Sequence, residues 1–188
     1  MKPLHLLIAV LLFSITNSVS QTETDSHTLT INLNTVAHLE INSTNSNAIS
    51  LKGTAPNDAG EKVELNQSNN DLWLNYSSIA KNNSARNVTV QVIDGEVPEG
   101  INLMVSANKY LGDGEGHIGK VVEQPIILND KKATNIIEGI GSAYTGNGAK
   151  KGHNLTYKIA QSDEANSYAF LDFDDSTTLT IVYTLSDN

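Results

Sequence analysis

The chain has no cysteine among its 188 residues. That excludes thiol catalysis, thiolate zinc sites, iron–sulfur clusters and disulfide stapling, so packing and hydrogen bonds must hold the fold. Positive charge is scarce as well: 12 Lys and Arg against 21 Asp and Glu give a formal net charge of −9. A chain this acidic repels phosphate backbones and anionic lipid, which excludes nucleic acid as a main partner. The acidic residues are dispersed rather than blocked, the pattern of a solvated surface. Aromatic residues make up 5% of the chain, with one tryptophan, which leaves little for an extended stacking surface. No window carries a sustained helical period, and no apolar run after the first residues is long enough to cross a bilayer.

The start of the chain has a different composition. Lys2 precedes an apolar stretch from Leu4 to Ile15, and Ser18-Val19-Ser20 offers small residues for a peptidase. This reads as an export signal over residues 1–20, cut before Gln21. Its apolar run is shorter than the ~20 residues of a membrane span, so no membrane insertion is expected after cleavage. Residues 21–188 are then expected to form one domain, with 21–27 as a flexible polar extension. The expected location is the periplasm, the outer cell surface or the medium.

What fills the rest is alternation. Leu29, Ile31, Leu33, Ala37, Leu39 and Ile41 occupy alternate positions, and so do Leu179, Ile181, Tyr183 and Leu185. Period two marks strands with one buried and one wet face, over Thr28–Asn42 and Thr177–Leu185. Between them, strands are predicted at Ala48–Lys52, around Val63 and Leu65, at Leu72–Tyr76, Val88–Val92, Ile101–Val105, Val121–Val122, Ile126–Leu128, Leu155–Ile159 and Ala169–Phe173. Asn135–Ile140 fits a short strand or a helical turn equally. Ile79–Asn87 reads as a polar link and Ser142–His153 as a long loop or hairpin tip. Roughly eight to ten short strands without intervening helices predict an all-β fold, a single antiparallel immunoglobulin-like sandwich.

Motifs for chemistry are weak. Gly141 and Gly146 have the outer spacing of a phosphate loop, but Asn147 stands where lysine is required. No Gly-x-Ser-x-Gly elbow and no metalloprotease histidine pair occurs, and His38 falls on the wet face of the first strand. Asp113, Glu115 and His117 form one candidate oxygen cluster for calcium; Asp172, Asp174 and Asp175 form another. Neither matches a calcium-binding loop. The expectation is therefore no catalytic residue, no cofactor, no metal and no enzymatic activity. Trp73 and Tyr76 are the candidate ligand platform, with Tyr110 and Tyr144 as further aromatic surfaces for a sugar.

The run Leu29-Thr-Ile-Asn-Leu-Asn-Thr-Val-Ala-His-Leu-Glu-Ile41 resembles the N-terminal strand of chaperone–usher fimbrial subunits, closest to the colonisation-factor and spore-coat-U-like class. Thr177–Leu185 resembles their closing strand. Gly139–Gly148 together with Gly152–Tyr157 is similar to uncharacterised exported proteins of Bacteroidetes-type bacteria. The fimbrial resemblance implies an incomplete sandwich, completed first by a periplasmic chaperone and then by the N-terminal segment of another subunit. Leu29, Ile31, Leu33, Leu39 and Ile41 would be the donated side chains. The residues themselves leave two arrangements open: donation to another copy, or pairing within the same chain. The second would give a self-complete carbohydrate- or calcium-binding module.

Overall fold

In the computed structural model, which describes residues 25–81, 84–172 and 177–188, alternating apolar residues set the long strands. The chain divides at Asn32/Leu33 into two units. In the first, residues 25–32 form no strand and are exposed. Every strand among the described residues lies in the second.

Eleven strands occur among the described residues: β1 (Val36–Ser43), β2 (Ser68–Ile79), β3 (Arg86–Asp94), β4 (Ile101–Ala107), β5 (Glu115–Gly116), β6 (Lys120–Val121), β7 (Ile126–Ile127), β8 (Thr134–Ile140), β9 (Ala143–Tyr144), β10 (His153–Gln161) and β11 (Thr180–Asp187). They form two antiparallel sheets packed as a sandwich. The larger, of seven strands, runs β5-β9-β2-β10-β4-β7 with β1 on the other flank of β2. The smaller, of four, runs β11-β3-β8-β6. The all-β sandwich expected from alternation is the observed fold.

The core lies between the sheets. Leu72, Leu74 and Tyr76 of β2 and Leu155, Tyr157 and Ile159 of β10 face Val88, Val90 and Val92 of β3 and Ile136, Ile137 and Ile140 of β8. Fully burying each aliphatic side chain is worth ~1.5–3 kcal/mol, which is how a sandwich without disulfides holds. The hydroxyls of Tyr157 and Tyr183 meet at 2.7 Å across the two sheets. Burial pushes the Tyr157 phenol up to about 12 and raises Tyr183 well above its ordinary value, so both stay neutral.

Several local expectations are corrected. The predicted first strand, Thr28–Asn42, is a strand only from Val36, because Val36 pairs with Ile79 and β2 ends there. Ala48–Lys52 forms no strand, although Ile49 and Leu51 pack against the core. The Val63–Leu65 stretch contributes one isolated bridge, Thr54 to Glu64. Asn135–Ile140 resolves as strand, within β8. Ala169 lies in a 3-10 turn, Ser167–Phe170, instead of a strand; Phe173 lies outside the described residues. The predicted loop Ser142–His153 contains β9.

Candidate functional site

The two terminal strands, β1 and β11, are each paired on one side only and are edge strands of the larger and the smaller sheet. They lie next to each other at one edge of the sandwich. Arg86, the single arginine of the chain, joins them. It continues the inward face of Val88, Val90 and Val92, and its side chain is buried. Its guanidinium donates from Nη2 to Thr35 Oγ1 (2.9 Å), from Nη1 to Ser78 Oγ (3.0 Å) and to the carbonyl oxygen of Val36, and from Nε to Asp187 Oδ1 (2.7 Å). One planar donor fork thus ties the start of β1, the end of β2 and the end of β11. The polar link expected over Ile79–Asn87 gives way to β3 at Arg86, whose two-residue spacing from Val88 is the sequence sign that it faces inward.

The five candidate donor residues divide. Leu29 and Ile31 are 75% and 77% exposed and Leu33 is 84% exposed, all three outside any strand. Leu39 and Ile41 instead pack against this chain's own core from β1, opposite Tyr76 and Leu74 of β2. Their pairing is within the chain.

Trp73 and Tyr76 do not share a face, because an odd separation along a strand puts side chains on opposite sides. Trp73 is half-buried on the outer face of the larger sheet, between Asn42 and Asn154. Tyr76 points into the core, which corrects its assignment to an exposed ligand platform. Its ring stacks on His153 at 5.8 Å, and its hydroxyl contacts His153 Nε2 (3.1 Å) and the Ile118 carbonyl. His153 Nδ1 lies 2.9 Å from the Asn108 carbonyl oxygen. That oxygen only accepts, so Nδ1 carries a proton. Burial pushes the His153 imidazole below its ordinary range, against the opposing pull of the Asn108 hydrogen bond.

The sign of the resulting pH dependence follows from linkage. The unfolded chain binds the His153 proton near pH 6.5, before the folded chain does. Its stabilising contribution is complete above that pH and is lost as pH falls through the lower folded value. Wild type is therefore expected to lose urea resistance as pH falls below about 6.5, and His153→Gln to lose distinctly less over the same range. The other described histidines, His27, His38 and His117, are exposed. Equal declines in both proteins would refute the assignment.

On the outer face of the larger sheet, β1 and β9 border an open cleft of about 580 Å³, with β2 as its floor. Residues facing it from these strands are His38 and Glu40 on β1, Asn75 and Ser77 on β2, and Tyr144 on β9, with Asn147 from the following loop. Register explains the grouping: His38 and Tyr144 both pair with Ser77, and Glu40 pairs with Asn75. Asn75 is buried and fully used. It accepts from Asn42 (3.1 Å) and donates to the carbonyls of Gly146 (2.9 Å) and Lys151 (3.1 Å), fixing the wall loop. Thr145 adds a backbone bond to the Tyr76 carbonyl at 3.0 Å. A second, smaller cleft of about 330 Å³ includes Tyr168, whose hydroxyl is already engaged by the Val63 amide.

Among the described residues, no three His, Asp or Glu side chains converge as a metal would need. Asp113 is held instead by Lys151 at 3.1 Å, whose hydrogen bond lowers the carboxyl's pKa. Asp174 and Asp175 lie outside the described residues. No known protein family, curated protein or solved structure matches the chain.

Proposed function

We propose that this is an exported, non-enzymatic structural or adhesive protein of the cell envelope that associates with other copies of itself by strand addition. The observation that carries the reading is the segment Leu29–Leu33. It has strand alternation, yet Leu29, Ile31 and Leu33 are exposed and unpaired while the strand that follows is already seated. An exposed alternating segment supplies what strand addition needs: a ladder of free backbone groups and side chains on one face to fill a partner's pockets. Among the edge strands, β1 and β11 are the long ones and offer acceptor edges. Leu39 and Ile41 are already seated in this chain, so donation is confined to the upstream half of the original candidate. A periplasmic chaperone would cover the same apolar side chains before assembly. Export itself rests on residues 1–20, which lie outside the described residues.

The test compares residues 21–188 with a variant carrying Leu29→Ser, Ile31→Ser and Leu33→Ser. Light scattering should show concentration-dependent oligomers for wild type and a monomer for the variant, with the same melting temperature. A wild-type protein that stays monomeric near millimolar concentration, or a variant that oligomerises equally, refutes the proposal.

A further inference from the structure

We infer that the cleft between β1 and the β9 loop is a binding site for a neutral saccharide. The argument begins with what lines it. Tyr144 presents its ring to solvent, 47% exposed, beside polar side chains of β1 and β2. Around it stand a carboxylate (Glu40), an imidazole (His38), a hydroxyl (Ser77) and a side-chain amide (Asn147), all exposed. Together they offer both donors and acceptors at short range of one flat apolar surface. A sugar ring matches that set: its C–H face packs on an aromatic ring while its rim of hydroxyls donates to a carboxylate and accepts from an amide.

The alternatives fit less well. No Lys or Arg lines the cleft, and Glu40 stands in it on a chain of net charge −9, so an anionic ligand is repelled. An apolar ligand would strand the polar lining without partners. For a bare cation, no three His, Asp or Glu side chains converge among the described residues. The volume, about 580 Å³, falls in the range of small-ligand sites.

The cleft is also built before any ligand arrives. Asn75 and Thr145 pin the wall loop to β2 from beneath, so little ordering cost remains at binding. Asn75 is thus a positioning residue and Tyr144 a contact. This inference does not depend on strand addition, because β1 stays in its own sheet.

The experiment is a titration of isotope-labelled residues 21–188 with chitotriose, cellotriose, xylotriose, mannotriose and laminaritriose, each to about 10 mM. Glycerol at equal concentration is the control. At least one sugar should give saturable amide shifts confined to His38–Glu40, Asn75–Ser77 and Tyr144–Asn147. Tyr144→Ala should weaken that binding about tenfold, as expected for losing one stacked ring. Glu40→Gln, on an exposed strand face, should also weaken it without changing the melt. The Leu29, Ile31 and Leu33 serine variant should bind sugar like wild type, which keeps failure of the assembly reading separate. No saturable shift with any sugar, shifts elsewhere, the same shifts with glycerol, or undiminished binding by Tyr144→Ala and Glu40→Gln each overturn the inference.

Discussion

Replacing Arg86 with methionine is expected to lower the unfolding free energy by about 3 kcal/mol. Methionine keeps much of the buried stem but none of the five N–H donors. The Val36 carbonyl, the Ser78 hydroxyl and Thr35 Oγ1 would lose the donor that now serves them. Leaving such groups without a partner costs ~1–3 kcal/mol each when they are buried, and partial hydration at the sheet edge reduces the sum. The ion pair itself contributes little to this figure. Asp187 is 72% exposed, and an exposed carboxylate pair is worth ~0–1 kcal/mol. Asp187→Asn should therefore cost under about 1 kcal/mol. Urea unfolding of both variants separates the two contributions. Equal losses would mean that the charge pair, and not the hydrogen-bond fork, holds the terminal strands.

Gly152→Ala is expected to be at least as damaging, with a loss of about 3–5 kcal/mol. Gly152 has φ +83°, and a Cβ there would stand 2.2 Å from the Leu74 carbonyl oxygen and 3.1 Å from Asn75 Nδ2. Neither neighbour can retreat: Leu74 is in the centre of β2, and Asn75 holds the cleft wall. The Gly152 carbonyl also accepts from the Leu111 amide at 2.9 Å, and His153 follows immediately. Gly148 provides the control. Its φ is +93° with nothing within 4 Å of a Cβ, so Gly148→Ala should cost only the backbone strain of about 1–2 kcal/mol. Thermal unfolding of the two variants distinguishes crowding from conformational strain. A Gly152→Ala protein as stable as Gly148→Ala would show that the backbone there yields.

How much of this was legible in the sequence differs from element to element. Val88, Val90 and Val92 alternate without interruption, and their strand and inward face were both readable. Leu29 to Ile41 alternate just as regularly, but alternation describes only one strand of a pair. Where β1 begins depends on where β2 ends, at Ile79, and nothing in residues 29–35 reports that. Leu72, Leu74 and Tyr76 share one face by period two, which already placed Tyr76 inward and Trp73 outward. Arg86 was hidden by composition, since an arginine among Asn, Ser and Lys looks solvated. The cleft was the least legible part. Tyr144 meets His38 only through the shared partner Ser77, a relation set by register between segments roughly a hundred residues apart in the chain.

The position of Arg86 also determines how the folded unit bears load. Val36, where the chain enters the first sheet, and Asp187, at the end of the last strand, both end on one guanidinium. Tension applied between them runs across the strands rather than along them. It would first break the hydrogen bonds of that side chain, then open β1 from β2 at Val36–Ile79 and β11 from β3 at Asp187–Arg86, one pair at a time. Strands loaded lengthwise resist by breaking many bonds together; these would unzip. In a string of such units pulled through their ends, the first element to yield would be a terminal strand, leaving the valine and isoleucine core between β3, β8 and β10 intact.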